Sequence, residues 1–349
     1  MKYQKNKKSR TKKVVIITLS VILVLGLAAV LTVYIYINSL VGKVKYKSLS
    51  NNTTSSSTVD PSKDTKDVQG NPLMSDRDVL NVLLVGLDNR ADTVEGGRSD
   101  SMIILSINQK TKRIIMTSIM RDTYLQIPDH GSNRINAAYA YGGMNLLIST
   151  IQRNFDIKID KYATVDFAKF IDIIDKLGGV NIDVEDNEIP VLNKYLQEIN
   201  SLTKTPEGTD YLTSGGKNLK LTGRQALAYS RIRYVGNGDF GRTQRQRIVL
   251  DAVFSKMKTQ NILQLTSILN MLMPDITTDL TQDELKGIVY NSLTYKGYET
   301  VQNRIPIDGS YKDVTINSMA VLQVDFDKNI QSIKSVIYGT GTSPNKSSK

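Results

Sequence analysis

Two aspartates stand where chemistry could be done. Val82–Leu87 is a short aliphatic run that leads straight into Asp88, and Arg98-Ser99-Asp100-Ser101 opens the next such run, Met102–Ile107. Carboxylates at the ends of adjacent buried strands can converge on one cation. Hard oxygen donors that leave positions for water and phosphate are what Mg2+ or Mn2+ prefers. Taken alone, Asp88 and Asp100 read first as caps of turns at strand ends. The arginines around them change that reading. Arg90 and Arg98 flank the carboxylates, Arg121-Asp122 follows a third run at Ile114–Ile119, and Arg231-Ile232-Arg233 precedes Gly238-Asp239-Phe240-Gly241-Arg242-Thr243-Gln244-Arg245-Gln246-Arg247. A guanidinium presents a planar fork of donors to phosphate oxygens and stays charged at any working pH. Acids and arginines gathered at element ends suggest a metal–phosphate site at the edge of a sheet. Arg247 should point away from Arg245 on a helix, and its expected state is a solvated charge or an ion pair.

The composition closes other routes. Cysteine is absent, which excludes disulfide scaffolds, thiol nucleophiles and thiolate metal sites. The sole histidine, His130, removes any multi-histidine metal site and leaves little room for a Ser-His-Asp triad.

The elements that must position these residues follow from periodicity. The three runs above, with Tyr162–Phe167 and Val180–Val184, are aliphatic and rich in β-branched residues, as buried strands are. Residues 136–154 and 167–177 carry apolar residues at three- and four-residue spacing, typical of helices packed on a sheet. Thr222-Gly-Arg-Gln225 has the capping-box pattern and opens a helix through about Arg233. Further helices are expected from Arg242 past Met257, over Asn261–Leu272 and over Thr281–Leu293. The expected fold is α/β, a mixed central sheet covered by helices on both faces.

The net charge of +11 belongs to one terminus. The first 47 residues hold ten basic and no acidic side chains, while the other 302 hold 35 basic and 34 acidic. Val14 to Gly42 is a stretch of 29 residues without a charge. About 20 apolar residues span a bilayer core. Seven basic residues precede the stretch and three follow it, so the larger cluster should stay cytoplasmic and the rest of the chain should lie outside the cell. The expected division is a basic cytoplasmic segment at 1–13, a transmembrane helix at 14–40, an extracellular tether at 41–76, one catalytic domain at 77–338 and a tail at 339–349. Direct nucleic-acid contact is not expected, because only about 13 residues are cytoplasmic and the outer part is near neutral.

Between Asn81 and Leu250 the chain resembles the LytR–CpsA–Psr family of membrane-anchored cell-wall phosphotransferases. The resemblance rests on NVLLVGLDNR (81–90), RSDSMIIL (98–105), SIMRDTYLQIP (118–128), RINAAYAYGG (134–143), VDFAKFIDIIDKLGGVNIDV (165–184), LTGRQALAYSRIR (221–233) and GDFGRTQRQ (238–246), in the family's order. Two departures are visible. Met120 stands where the family usually has proline, which bears on a turn. Asn237 stands where some members carry one more arginine, which implies one phosphate contact fewer.

The resemblance implies transfer of a glycopolymer, of teichoic-acid or capsule type, from a polyprenyl-diphosphate carrier to the 6-hydroxyl of peptidoglycan N-acetylmuramic acid. It implies a divalent metal on Asp88 and Asp100 with the Ser101 hydroxyl. It also implies a diphosphate surrounded by Arg90, Arg98, Arg121, Arg231, Arg233, Arg242 and Arg245, supported by Gln246. Asp122 and Asp239 are candidates for the general base. Leu146, Leu147, Ile151, Phe167, Phe170 and Ile174 are candidates to line a lipid cavity, or simply core. A membrane-anchored regulator, and a polyprenyl-phosphate-binding protein without transfer activity, are the competing readings.

Overall fold

The computed structural model describes residues 45–47, 66–67, 69–87, 99–261, 264 and 276–339, with the backbone alone at a few of these. Residues 14–40 lie outside that set. Among the described residues no helix is long and apolar enough to cross a membrane.

Thirteen strands and seven α-helices are described. The strands are β1 (Lys45–Tyr46), β2 (Val79–Leu87), β3 (Ser99–Asn108), β4 (Arg113–Ile119), β5 (Tyr124–Ile127), β6 (Gly131–Arg134), β7 (Lys161–Asp166), β8 (Val180–Val184), β9 (Gly216–Leu221), β10 (Thr277–Thr278), β11 (Glu299–Ile305), β12 (Tyr311–Ile316) and β13 (Met319–Val324). The helices are α1 (Ile135–Phe155), α2 (Phe167–Lys176), α3 (Ile189–Leu202), α4 (Gly223–Arg231), α5 (Gly238–Thr259), α6 (Gln282–Tyr295) and α7 (Phe326–Ile333).

A seven-stranded mixed sheet runs β1-β10-β7-β2-β3-β4-β11. β2 pairs antiparallel with β3 and parallel with β7, while β4 pairs antiparallel with β3 and parallel with β11. All seven residues of β4 are buried, as a strand covered on both faces must be. Alternation divides its side chains between two layers. Ile115 and Ile119 join Leu83, Met102, Ile104, Leu147, Ile151 and Phe155 in one core under α1. On the opposite face α5 crosses the sheet, with the Thr243 hydroxyl 3.4 Å from the sulfur of Met120. A second core lies beyond, where Ile174, Leu192, Leu196, Leu227, Val249 and the β8–β9 hairpin pack together.

The expected strands, and the expected helices other than that at 261–272, are present with shifted ends. α5 begins one turn earlier than its apolar spacing suggests, so Asp239 falls in its first turn, where an anion suits the helix dipole. The Thr222 capping box forms, with the Thr222 N–H donating to Gln225 Oε1 at 2.8 Å. Gly223 is required beside it, since a Cβ there would stand 2.2 Å from the Ile171 carbonyl oxygen. Most of the expected helix at 261–272 lies outside the described residues. Within 41–76, Lys45–Tyr46 pairs with β10 and Met74 bridges to Ile157, contacts that a free tether would not make.

Candidate phosphate-binding site

The site is built at one end of the sheet, from the turn after β4, the loop after α4 and the first turns of α5. Arg121 and Asp122 come from the turn. Arg121 Nε is 3.5 Å from Asp122 Oδ2, and its Nη2 is 3.6 Å from Asp239 Oδ2. Arg233, on the loop, donates to Asp239 Oδ2 at 2.7 Å. Arg242, one turn along α5, approaches Asp239 Oδ1 at 3.2 Å. Arg134, at the start of α1, stands 3.7 Å from Asp122 Oδ1. Four guanidiniums therefore face two carboxylates, and the cluster keeps an excess of positive charge. Arg134 was not among the expected phosphate ligands, although RINAAYAYGG begins with it.

The two carboxylates are driven apart in acidity. Burial pushes the Asp122 carboxyl up, against Arg121, and the neighbouring Asp239 pushes it further. Burial also acts to raise Asp239, but Arg242, Arg121 and Arg233 outweigh it, and a hydrogen bond from Asp122 helps to hold it below the usual carboxylate range. Asp122 is thus the better proton acceptor and Asp239 the permanent anion that holds the arginines in the absence of other charge.

Gln246 belongs to the same end of α5. Its Oε1 accepts from the Ser101 hydroxyl at 3.2 Å, tying β3 to the helix. Asp100 lies in β3, and a register shift between Gly86 and Leu87 pairs Leu87 with Ser99. The sequence neighbours Asp88 and Asp100 are thereby attached to one end of an antiparallel pair. Asp88, Arg90 and Arg98 lie outside the described residues, as does the Asp100 side chain. Carboxylate and hydroxyl oxygens are the donor types that Mg2+ prefers, so the chemistry of these residues fits that ion. Among the described residues no group of three or more potential metal-ligating side chains occurs.

Arg231 and Arg245 are placed differently from the rest. Arg231 donates from Nη2 to both carboxylate oxygens of Glu198, at 3.0 and 3.2 Å, and lies over the Tyr195 ring at 5.0 Å. Arg245 donates from Nε to Glu188 at 2.7 Å and from its two terminal nitrogens to the carbonyls of Ile232 and Val235. It is a strut beneath the loop that carries Arg233.

The expectation for Arg247 needs correction. Arg247 is neither solvated nor ion-paired among the described residues: it is buried, and Nε and Nη1 have no hydrogen-bond partner there. Burial and the neighbouring Arg304 lower its pKa to about 10. The reason is that α5 is covered by the sheet on one side and by the second core on the other. The proposed lipid-lining residues also separate, Leu146, Leu147 and Ile151 to the core under α1 and Phe170 and Ile174 to the second core. The Phe167 side chain lies outside the described residues. Met120 does more than shape a turn, since its N–H donates to the Ile305 carbonyl at 2.9 Å and its side chain packs under α5. His130 stacks on Tyr141 at 5.1 Å, a contact made away from the arginine cluster.

The scaffold is α/β and holds arginines and acids together at one sheet end, an arrangement suited to anionic oxygens. Comparison with known proteins narrows this: the LytR_cpsA_psr family model matches residues 33–335, and the chain belongs to that family. It is 33% identical over 219 residues to the Enterococcus faecalis polyisoprenyl-teichoic acid–peptidoglycan teichoic acid transferase TagU, covering 62% of this chain and 66% of that one. The chain thus spans just under two thirds of that relative. It is 31% identical over 281 residues to the Staphylococcus aureus regulatory protein MsrR, covering 78% of each. Among solved structures, it superposes on Bacillus subtilis TagT with bound octaprenyl pyrophosphate lipid, with a TM-score of 0.56, 25% identity and coverage of 80% of this chain and 97% of that one.

Proposed function

We propose that the protein is a phosphotransferase that moves a glycopolymer from a polyprenyl-diphosphate carrier to a peptidoglycan hydroxyl outside the cell. The observation that carries this reading is the convergence of Arg121, Arg233 and Arg242 on Asp239, with an excess of positive charge at the sheet end. The names of the TagU and TagT relatives supply the substrate class.

Phosphoryl transfer asks for charge neutralisation and in-line placement more than for a protein nucleophile. Asp239 keeps the guanidiniums aligned until a diphosphate competes for them. Arg121, Arg233 and Arg242 then spread over the phosphate oxygens and stabilise charge as it builds on the leaving group. Asp122, its basicity raised by burial, accepts the proton of the acceptor hydroxyl. That oxygen bonds to the sugar-linked phosphorus, the bond from this phosphorus to the bridging oxygen breaks, and polyprenyl monophosphate leaves with the electron pair. Asp88, Asp100 and Ser101 would hold Mg2+ or Mn2+, which supplies further neutralisation of the diphosphate. Gln246 holds Ser101 in place for that task.

The uncharged stretch at 14–40 anchors the chain, and the basic residues before it keep the N-terminus cytoplasmic. That topology puts the site on the side where peptidoglycan lies. The MsrR relative carries a regulatory name, but a folded part close to neutral does not favour contact with nucleic acid.

The test uses the full chain in detergent, a synthetic polyprenyl-diphosphate sugar, a peptidoglycan oligomer and Mg2+. The joined phosphodiester product is expected. Binding of the lipid without any joined product would favour a carrier or regulator.

A further inference from the structure

β1 is only two residues long, yet its place in the sheet decides how the domain meets its anchor. Lys45 and Tyr46 pair parallel with Thr277 and Thr278 of β10, which pairs antiparallel with β7. The Lys47 N–H donates to the Thr278 carbonyl at 3.0 Å, and the Tyr162 hydroxyl donates to the Lys47 carbonyl at 2.9 Å. Tyr162 is buried, and its own N–H donates to Asp279, next to β10, at 2.8 Å. The segment is stitched to the sheet edge through both polar groups of the Lys47 backbone.

Register gives the direction from which the chain arrives. Lys45 is level with Thr277, Thr277 with Thr164, Thr164 with Val85 and Val85 with Met102. Beyond that row β2 and β7 run on to Leu87 and Asp166. Ile103, one residue from the row, is level with Ser118, and β4 runs on from there towards Arg121. β1 runs the other way, so the chain enters it from the Arg121 side. Gly42, the last residue of the uncharged stretch, is three positions before Lys45, a span of at most about 10 Å. The far end of β2, at Val79, lies six residues from the row of Lys45, or about 20 Å. Three residues cannot bridge that distance. The anchor proposed above therefore reaches the domain at the end of the sheet that carries the arginines, with β4 five strand spacings, about 24 Å, along from β1.

The end so presented suits a lipid surface. Arg121, Arg134, Arg233 and Arg242 outnumber Asp122 and Asp239 there, and Lys43, Lys45 and Lys47 follow the uncharged stretch in sequence. Anionic headgroups attract such basic clusters over about a Debye length.

We infer that β1 is a clasp that turns the arginine-bearing end of the sheet towards the bilayer, and that the partner of this end is the headgroup layer of the membrane in which the chain is anchored. This rests on the anchored-transferase reading above and adds an orientation to it.

The chain has no cysteine, so one introduced thiol is a unique labelling site. Asn237, at the arginine end, is exposed and makes no side-chain cap bond. Lys110 is exposed in the turn between β3 and β4, at the opposite end. A bimane on Asn237→Cys or on Lys110→Cys is read in the full chain reconstituted in phosphatidylcholine vesicles, with and without a lipid spin-labelled at its headgroup. Zwitterionic headgroups remove the charge attraction and leave the clasp to orient the domain. Emission should be quenched at Asn237→Cys and unchanged at Lys110→Cys. About 20 Gly-Ser residues inserted between Gly42 and Lys43, with a reach of about 25 Å, leave β1 in place and should abolish the difference. Equal quenching at the two positions, or stronger quenching at Lys110→Cys, overturns the orientation. A parental difference after the insertion overturns the role of β1. Vesicles that float without the protein overturn the anchor and the orientation together. Neither label requires turnover, so the expected quenching in a chain that never transfers refutes the transferase reading alone. Transfer by a chain quenched equally at both ends refutes the clasp alone.

Discussion

Asp122 and Asp239 show how neighbouring side chains of one type are given different work. The same burial acts on both, yet three guanidiniums surround Asp239, while Asp122 has Arg121 and Arg134 at longer range and a carboxylate beside it. Asp122 has a raised folded pKa, so the stability its proton confers is complete below the ordinary carboxylate value and is lost as pH rises through the raised one. Asp122→Asn should therefore melt higher than the parent at neutral pH, with the advantage fading on acidification below the ordinary carboxylate range. The same variant should lose about 10²–10⁴-fold in transfer rate if Asp122 takes the acceptor proton. The acid limb of the rate profile should vanish with it; a parental pH profile in Asp122→Asn would remove Asp122 from that role. Arg247 makes the opposite case, a cation buried without a partner among the described residues. Arg247→Met should raise stability by about 1 kcal/mol or more, a gain of roughly 2–4 °C in melting temperature for a domain of this size. A lower melting temperature would mean that the cation is compensated.

The helices and strands supply the placements that single residues do not reveal. Positions 245 and 247 are about 200° apart on a helix, so their divergence was readable from spacing. What each side of α5 faces was not, because that depends on the sheet and the second core arriving from distant parts of the chain. The result is that Arg242, Arg245 and Arg247 are all buried, on different sides. β11 was equally hidden: it joins the sheet by pairing with β4, a contact across nearly 200 residues that local pattern cannot announce. The capping box at Thr222 and β4, with its run Ile114-Ile115-Met116, were legible because their signals are local. The strut at Arg245 carries its own prediction. Glu188 is buried with it, so Arg245→Met leaves an uncompensated carboxylate and should cost about 3–5 kcal/mol. Adding Glu188→Gln should restore much of that loss, and hydrogen exchange at residues 232–236 should rise in the single variant. No change in exchange there would show that the loop is held by something other than Arg245.

At the scale of the whole molecule, the proposed topology rests on the charge distribution. The basic excess sits before the uncharged stretch at 14–40, and the family match begins at residue 33 within it. The proposed division into anchor and outer domain rests on composition alone, while the family was legible in motifs whose distant turns meet at one sheet end. The Glu198 and Tyr195 partners of Arg231 were not readable, because α3, which carries them, is brought to Arg231 only through the second core. Protease added to intact cells that lack an outer barrier should remove the domain after residue 48, because the seven basic residues hold the N-terminus inside. Full protection would reverse the topology and the substrate class with it.

On the proposed function, the arginines on Asp239 hold a transferring diphosphate. Single-turnover transfer by the full chain, measured beside lipid-diphosphate affinity in the parent and Arg233→Ala, tests it most directly. Arg233 is partly exposed, and its loss leaves Arg121 and Arg242 on Asp239, so the fold should survive. Arg233→Ala should bind the lipid about 10-fold or more weakly, from loss of a charge-assisted contact of about 1.5–3 kcal/mol, and its transfer step should slow as well. Parental affinity together with a parental transfer rate would contradict it.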